Sequence, residues 1–111
     1  MDKFERQLVI IEFEKHLKSE YGEFRKEVMF NSIMKTKRRF RADYFLPEYN
    51  IIIEINGGQW NRGRHTRGGK GYETDLTKLN LAQKHGYAIY QFTYEMLLRM
   101  EYKDYVIKQL L

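Results

Sequence analysis

The chain has 111 residues, of which 42% are hydrophobic and 32% are charged, and its formal net charge is +5. This length predicts one domain that can bury a substantial core. The excess of positive charge favours an anionic partner, with nucleic acid ahead of a membrane surface. The absence of cysteine excludes disulfides and thiolate metal sites. No apolar run approaches the ~20 residues that a membrane span needs, so we expect a cytoplasmic protein.

Residues 2–20 have the apolar period of a helix. Their apolar side chains recur at spacings of three and four and form one broad stripe: Phe4, Leu8 and Ile11, widened by Ile10, Phe13 and Leu17. We expect this stripe to face the core. We expect the helix to end at Tyr21, because glycine is favoured just beyond a helical C-terminus and Gly22 is placed there.

Three strands are predicted next. The first strand lies within residues 26–34. The second spans Phe40–Leu46 and the third spans Ile51–Asn56, and a turn that contains Pro47 and Asn50 joins them. A basic cluster precedes the second strand: Lys35, Lys37, Arg38, Arg39 and Arg41. The isoleucine triplet 51–53 indicates that the third strand is covered on both faces.

An open, glycine-rich loop is predicted over Gly57–Gly71, followed by a helix over Tyr72–His85. Tyr87–Phe92 reads as a strand, and Thr93 is placed to cap a last helical stretch, with Val106, Leu110 and Leu111 further on. The order α-β-β-β-α-β-α predicts an α/β or α+β domain with a mixed sheet flanked by helices.

The two central strands bring acidic residues together. If Glu48 and Tyr49 form the centre of the turn, Asp43 lies opposite Glu54. Opposed carboxylates destabilise a sheet unless a cation neutralises them. Mg²⁺ takes oxygen ligands, often one or two carboxylates together with substrate phosphate. The pair is therefore either a metal site or two solvent-facing residues, each paired with an arginine of the basic cluster, and the covered strand favours the first.

A resemblance rests on two stretches, FRADYFLPEYNIIIEINGGQW (40–60) and GRHTRGGKGYETDLTKLNLAQKHGYAIYQFTYEML (63–97). They resemble the PD-(D/E)XK nuclease superfamily, and more closely its small phage and bacterial endonuclease-like proteins, related to Holliday-junction resolvases and very-short-patch-repair endonucleases. The resemblance implies a single nuclease domain over residues 1–111 with a restriction-endonuclease-like fold. It also implies the cytosol of a bacterium or of a phage-infected host.

The same resemblance implies a site for Mg²⁺, with Mn²⁺ as a substitute. Asp43, Glu54 and the main-chain carbonyl of Ile55 would bind the metal. Glu5 matches an accessory acid of the superfamily, although a solvated carboxylate on the first helix is the favoured explanation. We expect these roles from the resemblance.

Asn56 departs from the superfamily, which usually has lysine at this position to orient the attacking water and offset developing charge. The resemblance implies Lys78, on the following helix, as a relocated lysine. Gln59, just past the strand, and Asn56 itself are further candidates to orient the water, although neither brings a charge. Lys78 has an alternative as an ordinary surface partner of Asp75, three residues earlier. Glu73 either helps to hold the metal or the water, or its negative charge simply stabilises the N-terminus of its helix through the helix dipole.

The basic residues are candidates for contacts with the phosphate backbone. They are Lys37, Arg38, Arg39, Arg41, Arg62, Arg64, His65, Arg67 and Lys70. The chain is thus predicted to be a Mg²⁺-dependent DNA endonuclease, structure-selective like a Holliday-junction resolvase and acting as a homodimer on branched or double-stranded DNA. A nicking or mismatch endonuclease and a catalytically impaired DNA-binding module are the alternatives.

Overall fold

The computed structural model describes residues 1–56 and 69–105, without the side chains of residues 69, 70 and 105. Its elements are α1 Lys3–Tyr21, β1 Arg25–Met29, α2 Phe30–Ile33, β2 Arg41–Leu46, β3 Ile51–Ile55, α3 Gly69–Lys84, β4 Ala88–Phe92, α4 Tyr94–Leu98 and α5 Tyr102–Tyr105. The predicted class, an α+β domain with a mixed sheet, is confirmed. The order differs from the prediction by the short helix α2 and by the pair α4 and α5 in place of one last helix.

The four strands of the described chain lie in the order β1-β2-β3-β4. The first three are antiparallel neighbours, whereas β4 is parallel to β3. Between β2 and β3, Tyr44 lies opposite Ile53 and Leu46 opposite Ile51. This is the register that the turn predicted, so the chain does bring Asp43 and Glu54 to the same end of neighbouring strands.

Both faces of the sheet are covered. On one face, α1, α4 and α5 enclose a cluster that includes Ile51 and Ile53. On the other, side chains of α2 and α3 pack with Ile52. All three isoleucines are fully buried, which confirms the prediction for β3. A charged residue that continues this strand must therefore enter a protein interior.

The first helix buries only part of the predicted stripe: Phe13 and Leu17 are in the core and Ile10 packs against it. Its buried residues are Val9, Phe13, Leu17 and Tyr21. The predicted core residues Phe4, Leu8 and Ile11 are instead exposed. Apolar side chains surround this helix on several sides, so their period cannot select a face. The choice is made by the sheet, where Phe13 packs edge-on against Tyr44 and Tyr102, with ring centroids 5.3 and 4.9 Å away.

The ends of the helices match the predicted signals in two of three places. Gly22 ends α1 with a φ of 76°, a left-handed backbone that favours glycine. The Thr93 hydroxyl accepts a 3.1 Å hydrogen bond from the Met96 N–H and caps α4. The third helix begins at Gly69 instead of Tyr72.

The predicted apolar residues Val106, Leu110 and Leu111 lie outside the described residues. No helix in the described part of the chain has the length and apolar character to cross a membrane.

Candidate functional site

The strands β2 and β3 separate at the end where the two acids lie. Their ladder is formed as far as the pair Tyr44 and Ile53. Beyond it, the Asp43 N–H donates a 3.0 Å hydrogen bond to Glu54 Oε2, and the Ile55 N–H donates a 2.8 Å bond to Asp43 Oδ2. Each carboxylate thus binds a main-chain donor on the opposite strand. Since buried N–H groups need partners, the two acids complete the sheet as well as facing each other.

The neighbouring strand is also irregular at this level. The pairing of β1 with β2 includes Lys26 with Tyr44 and Val28 with Ala42, but not the intervening Glu27 with Asp43. Glu27 has a φ of 52°, which is uncommon for a residue with a side chain. Its carboxylate forms a 3.2 Å ion pair with Arg41. Because of this local break, Asp43 has no regular ladder partner on either neighbouring strand, β1 or β3.

Lys78 enters the same site from α3. Its ammonium group forms an ion pair with Glu54 Oε1 and donates a 2.7 Å hydrogen bond to the Arg41 carbonyl. The side chains of Lys78 and Glu54 are only 17% and 10% exposed. The ammonium also lies 5.6 Å from the centre of the Phe30 ring. Lys78 therefore points into the protein towards β3, which the alternative of an ordinary surface pair did not anticipate.

Burial dominates the ionisation of Glu54. Loss of solvent raises the pKa of its carboxyl, and the nearby charge of Asp43 acts in the same direction. Lys78 lowers the pKa, both through its hydrogen bond and through its charge, and the Asp43 N–H lowers it as well. The net direction is upward. Lys78 is thus the cation that partly offsets the cost of burying the Glu54 carboxylate, the problem that the sequence posed for this strand.

A surface cavity of about 550 Å³ opens over these groups, and we call it the carboxylate cavity. Its described lining residues are Met29, Arg39, Arg41, Asp43, Glu54, Ile55, Asn56, Asp75 and Lys78. It brings together most of the predicted site residues that the structure describes, from β2, β3 and α3. The Asn56 amide donates a 3.1 Å hydrogen bond to Gln91 on β4, so β4 fixes the orientation of this side chain.

Other predicted site residues lie elsewhere. Glu5 belongs to a capping box at the start of α1, where its carboxylate accepts a 3.0 Å hydrogen bond from the Asp2 N–H. It is not among the described residues that line the carboxylate cavity. Glu73 is exposed on the first half of α3. Lys37 and Arg38 are exposed too, and the Arg38 guanidinium lies 4.5 Å from the centre of the Phe40 ring.

The remaining candidates fall on the loop before α3. Gln59, Arg62, Arg64, His65 and Arg67 lie outside the described residues, as does the side chain of Lys70. Their proposed roles as a water-orienting group and as phosphate contacts stay predictions.

The sequence did not predict Asp75 as a member of the site, nor the contacts that Arg41 makes there. Asp75 was considered only as a surface partner of Lys78, although a spacing of three places both on one side of α3. Arg41 was assigned to DNA contact alone, yet its carbonyl accepts from Lys78 and its guanidinium binds Glu27. Neither contact has a sequence signal, because both depend on how α3 and β1 pack against β2.

The donor set suits a hard divalent cation. Asp43 and Glu54 supply carboxylate oxygens at one cavity, and each oxygen that accepts an N–H keeps a second lone pair. The described residues contain no group of three or more acidic, histidine or cysteine side chains that could hold a metal. Mg²⁺ is nevertheless commonly bound through only one or two carboxylates together with substrate phosphate.

Comparisons with known proteins give no relative: no family model matches the chain, and neither a curated protein nor a solved structure matches it.

Proposed function

We propose that this protein is a Mg²⁺-dependent DNA endonuclease with a restriction-endonuclease-like fold. The observation that carries the proposal is the convergence of Asp43, Glu54 and Lys78 on one surface cavity that arginine side chains also line. Two acids with a lysine provide ligands for a cation and a positive charge at the same place, as hydrolysis of a phosphodiester requires. The net charge of +5 suits a polyanionic substrate.

The proposal assigns a role to each residue of the carboxylate cavity. Asp43, Glu54 and the Ile55 carbonyl would hold Mg²⁺ or Mn²⁺, which supplies Lewis-acid polarisation of a phosphoryl oxygen when bound. Lys78 Nζ brings to the carboxylate cavity the positive charge that Asn56 lacks. Arg39 and Arg41 lie on the same cavity and would bind phosphate oxygens, which positions the backbone without reading its sequence.

The substrate that fits best is branched DNA, cut as a Holliday-junction resolvase cuts it. A domain with one site cuts two strands of a junction most simply as a symmetric homodimer. The cytosol of a bacterium or of a phage-infected host is the matching location. A nicking or mismatch endonuclease of the very-short-patch type is the enzyme alternative, and a monomer in sedimentation experiments would favour it.

The decisive experiment is cleavage of a panel of branched, nicked, mismatched and linear DNAs in Mg²⁺ or Mn²⁺. We expect metal-dependent products with the wild-type protein and none with Asp43→Asn or Glu54→Gln. Glu48→Gln is the matched control, since Glu48 is exposed in the turn at the opposite end of the same two strands. If no DNA in the panel is cut, or if the two site variants cut as well as the control, the proposal is wrong.

One observation favours a second candidate, a DNA-binding module with an impaired nuclease site. Glu54 Oε1 is paired with Lys78 and Oε2 accepts the Asp43 N–H, so protein groups already satisfy this carboxylate. For such a module, calorimetric titration with Mn²⁺ would show no binding at millimolar concentration. Asp43→Asn would then leave both the metal response and the DNA affinity unchanged.

A further inference from the structure

The carboxylate cavity has a neighbouring cavity on the α1 side of the sheet. It shares Arg41, Asp43 and Ile55 with a cavity of about 280 Å³. That middle cavity shares Ile10, Lys26 and Tyr94 with a third one of about 530 Å³, which we call the α1 groove. The described surface therefore carries three cavities, each sharing lining residues with the next, from the two acids to the first helix.

The α1 groove combines cations with apolar surface. Its lining residues are Lys3, Arg6, Gln7, Ile10, Ile11, Glu14, Lys26 and Tyr94. Glu14, the one acid among these described lining residues, is already engaged, because it accepts a 2.6 Å hydrogen bond from the Tyr44 hydroxyl and pairs with Lys26 at 2.9 Å. Among the sequence-based DNA contacts that the structure describes, Lys37, Arg38, Arg39 and Arg41, none lines this groove, so the basic cluster before β2 does not account for it.

Arg6 and Tyr94 form the most specific feature of the groove. The Arg6 guanidinium carbon lies 5.0 Å from the centre of the Tyr94 ring, a cation–π distance. Arg6 is exposed, whereas Tyr94 is half-buried, so the ring holds the guanidinium from the protein side. An arginine held in this way offers a charge for a phosphate and a flat surface on which a base can stack.

We propose that the α1 groove binds a single-stranded nucleic-acid segment that leaves the carboxylate cavity. The inference rests on the proposed nuclease function and narrows its branched substrates to those with an unpaired strand next to the cut, such as a flap or a splayed arm, rather than a four-way junction whose arms are fully paired. A duplex presents mainly phosphates to such a surface, whereas an unpaired strand also exposes base faces. The apolar side chains of Ile10 and Ile11 and the stacked pair of Arg6 and Tyr94 are complementary to those faces.

The test measures binding alone, in EDTA, so that it does not depend on cleavage. Fluorescence anisotropy would compare a labelled blunt duplex with the same duplex carrying a single-stranded extension. We expect tighter binding of the extended DNA. Arg6→Ala should weaken that binding at least about fivefold, the low end of what loss of a stacked base costs, and change the affinity for the blunt duplex by less than about twofold.

Two further variants separate stacking from charge. Lys15→Ala removes the same charge from an exposed position of α1 that does not line the groove, and it should leave the preference for extended DNA intact. Arg6→Lys keeps the charge but not the planar group, and it should lose most of the preference. Circular dichroism of each variant checks that α1 is still folded.

Three results would overturn the inference. They are equal wild-type affinity for the two DNAs, equal weakening of both by Arg6→Ala, and competition by polyglutamate as strong as that by a single-stranded oligonucleotide. The last would indicate a general anion site. Loss of metal-dependent cleavage in Asp43→Asn with the preference for extended DNA retained would support both proposals. If the wild-type protein prefers the extended DNA but neither it nor any variant cleaves DNA, the result would support binding in the α1 groove and reject the proposed nuclease function.

Discussion

The ion pair of Glu54 with Lys78 allows a quantitative test of the site, and Lys78→Met is the informative change. Methionine keeps the length of the side chain and its packing against Phe30 but removes the ammonium group. Glu54 then stays buried without its cation, and the Arg41 carbonyl loses a donor. Removing one partner of a fully buried pair costs roughly 3–5 kcal/mol. Because the carboxylate cavity is open to water, we expect a loss of about 2–4 kcal/mol at pH 8.

This loss should depend on pH in a defined direction. Burial already raises the pKa of Glu54, and Lys78 is the main group that lowers it. In Lys78→Met the pKa therefore rises further. A carboxyl whose folded pKa is raised stabilises the protein below its ordinary pKa, and this stabilisation is lost as pH rises through the folded value. The deficit of the variant relative to wild type should thus shrink as pH falls from 8 towards 5.

Urea unfolding in EDTA measures both effects, with the double variant Glu54→Gln/Lys78→Met as the reference. In the double variant neither position 54 nor position 78 carries a charge. Its free energy of unfolding should fall by only about 1 kcal/mol, since neutral replacement of both partners is often tolerated. Typical domain stabilities of ~5–15 kcal/mol leave both variants folded enough to measure. A deficit that is independent of pH, or as large in the double variant, would refute the assignment of Lys78 as the cation of Glu54.

Three further predictions test the fold around the site. Phe13→Ala should lower the free energy of unfolding by about 3–5 kcal/mol, because Phe13 is fully buried, whereas Leu8→Ala on the exposed side should cost less than about 1 kcal/mol; urea titration distinguishes them. His16 should titrate by NMR below its ordinary pKa of 6.5, since burial lowers its pKa most, with Lys103 adding to this and Glu20 opposing it; its contribution to stability is then present above pH 6.5 and is lost as pH falls through the folded pKa. Thr93→Ala should cost about 1 kcal/mol by removing the cap of α4, whereas Thr93→Ser should retain most of the stability.

The sequence predicts those parts of the molecule that depend on local chemistry. The turn between β2 and β3 sets their register, so the meeting of Asp43 with Glu54 follows from a few residues. The core face of α1 does not, because apolar side chains lie on several sides of it and the rings of the sheet decide which are buried. The left-handed backbone of Glu27 is equally unpredictable, since it arises where β1 and β2 lose their pairing.

The candidate site divides in the same way. The acids follow from strand register, whereas Lys78 was named only through the family resemblance, and only the packing of α3 on the sheet places it against Glu54. Asn56 illustrates the converse case. Its position in the carboxylate cavity agrees with the sequence-based expectation, but its side chain is bound to Gln91, a partner on a strand 35 residues away that no local pattern indicates.

Lys78 has two roles that one variant can separate. It neutralises Glu54, so it competes with any cation for Oε1, and as a positive charge in the carboxylate cavity it would also favour phosphate binding. For a working nuclease, Lys78→Met should therefore bind Mn²⁺ several-fold more tightly than wild type while cleaving DNA at least about tenfold more slowly, as measured by calorimetry and a cleavage assay. Glu54→Gln should lose both properties. If Lys78→Met neither gains metal affinity nor loses cleavage, Lys78 acts only as a structural counter-ion for β3, and another residue must supply the positive charge that Asn56 does not.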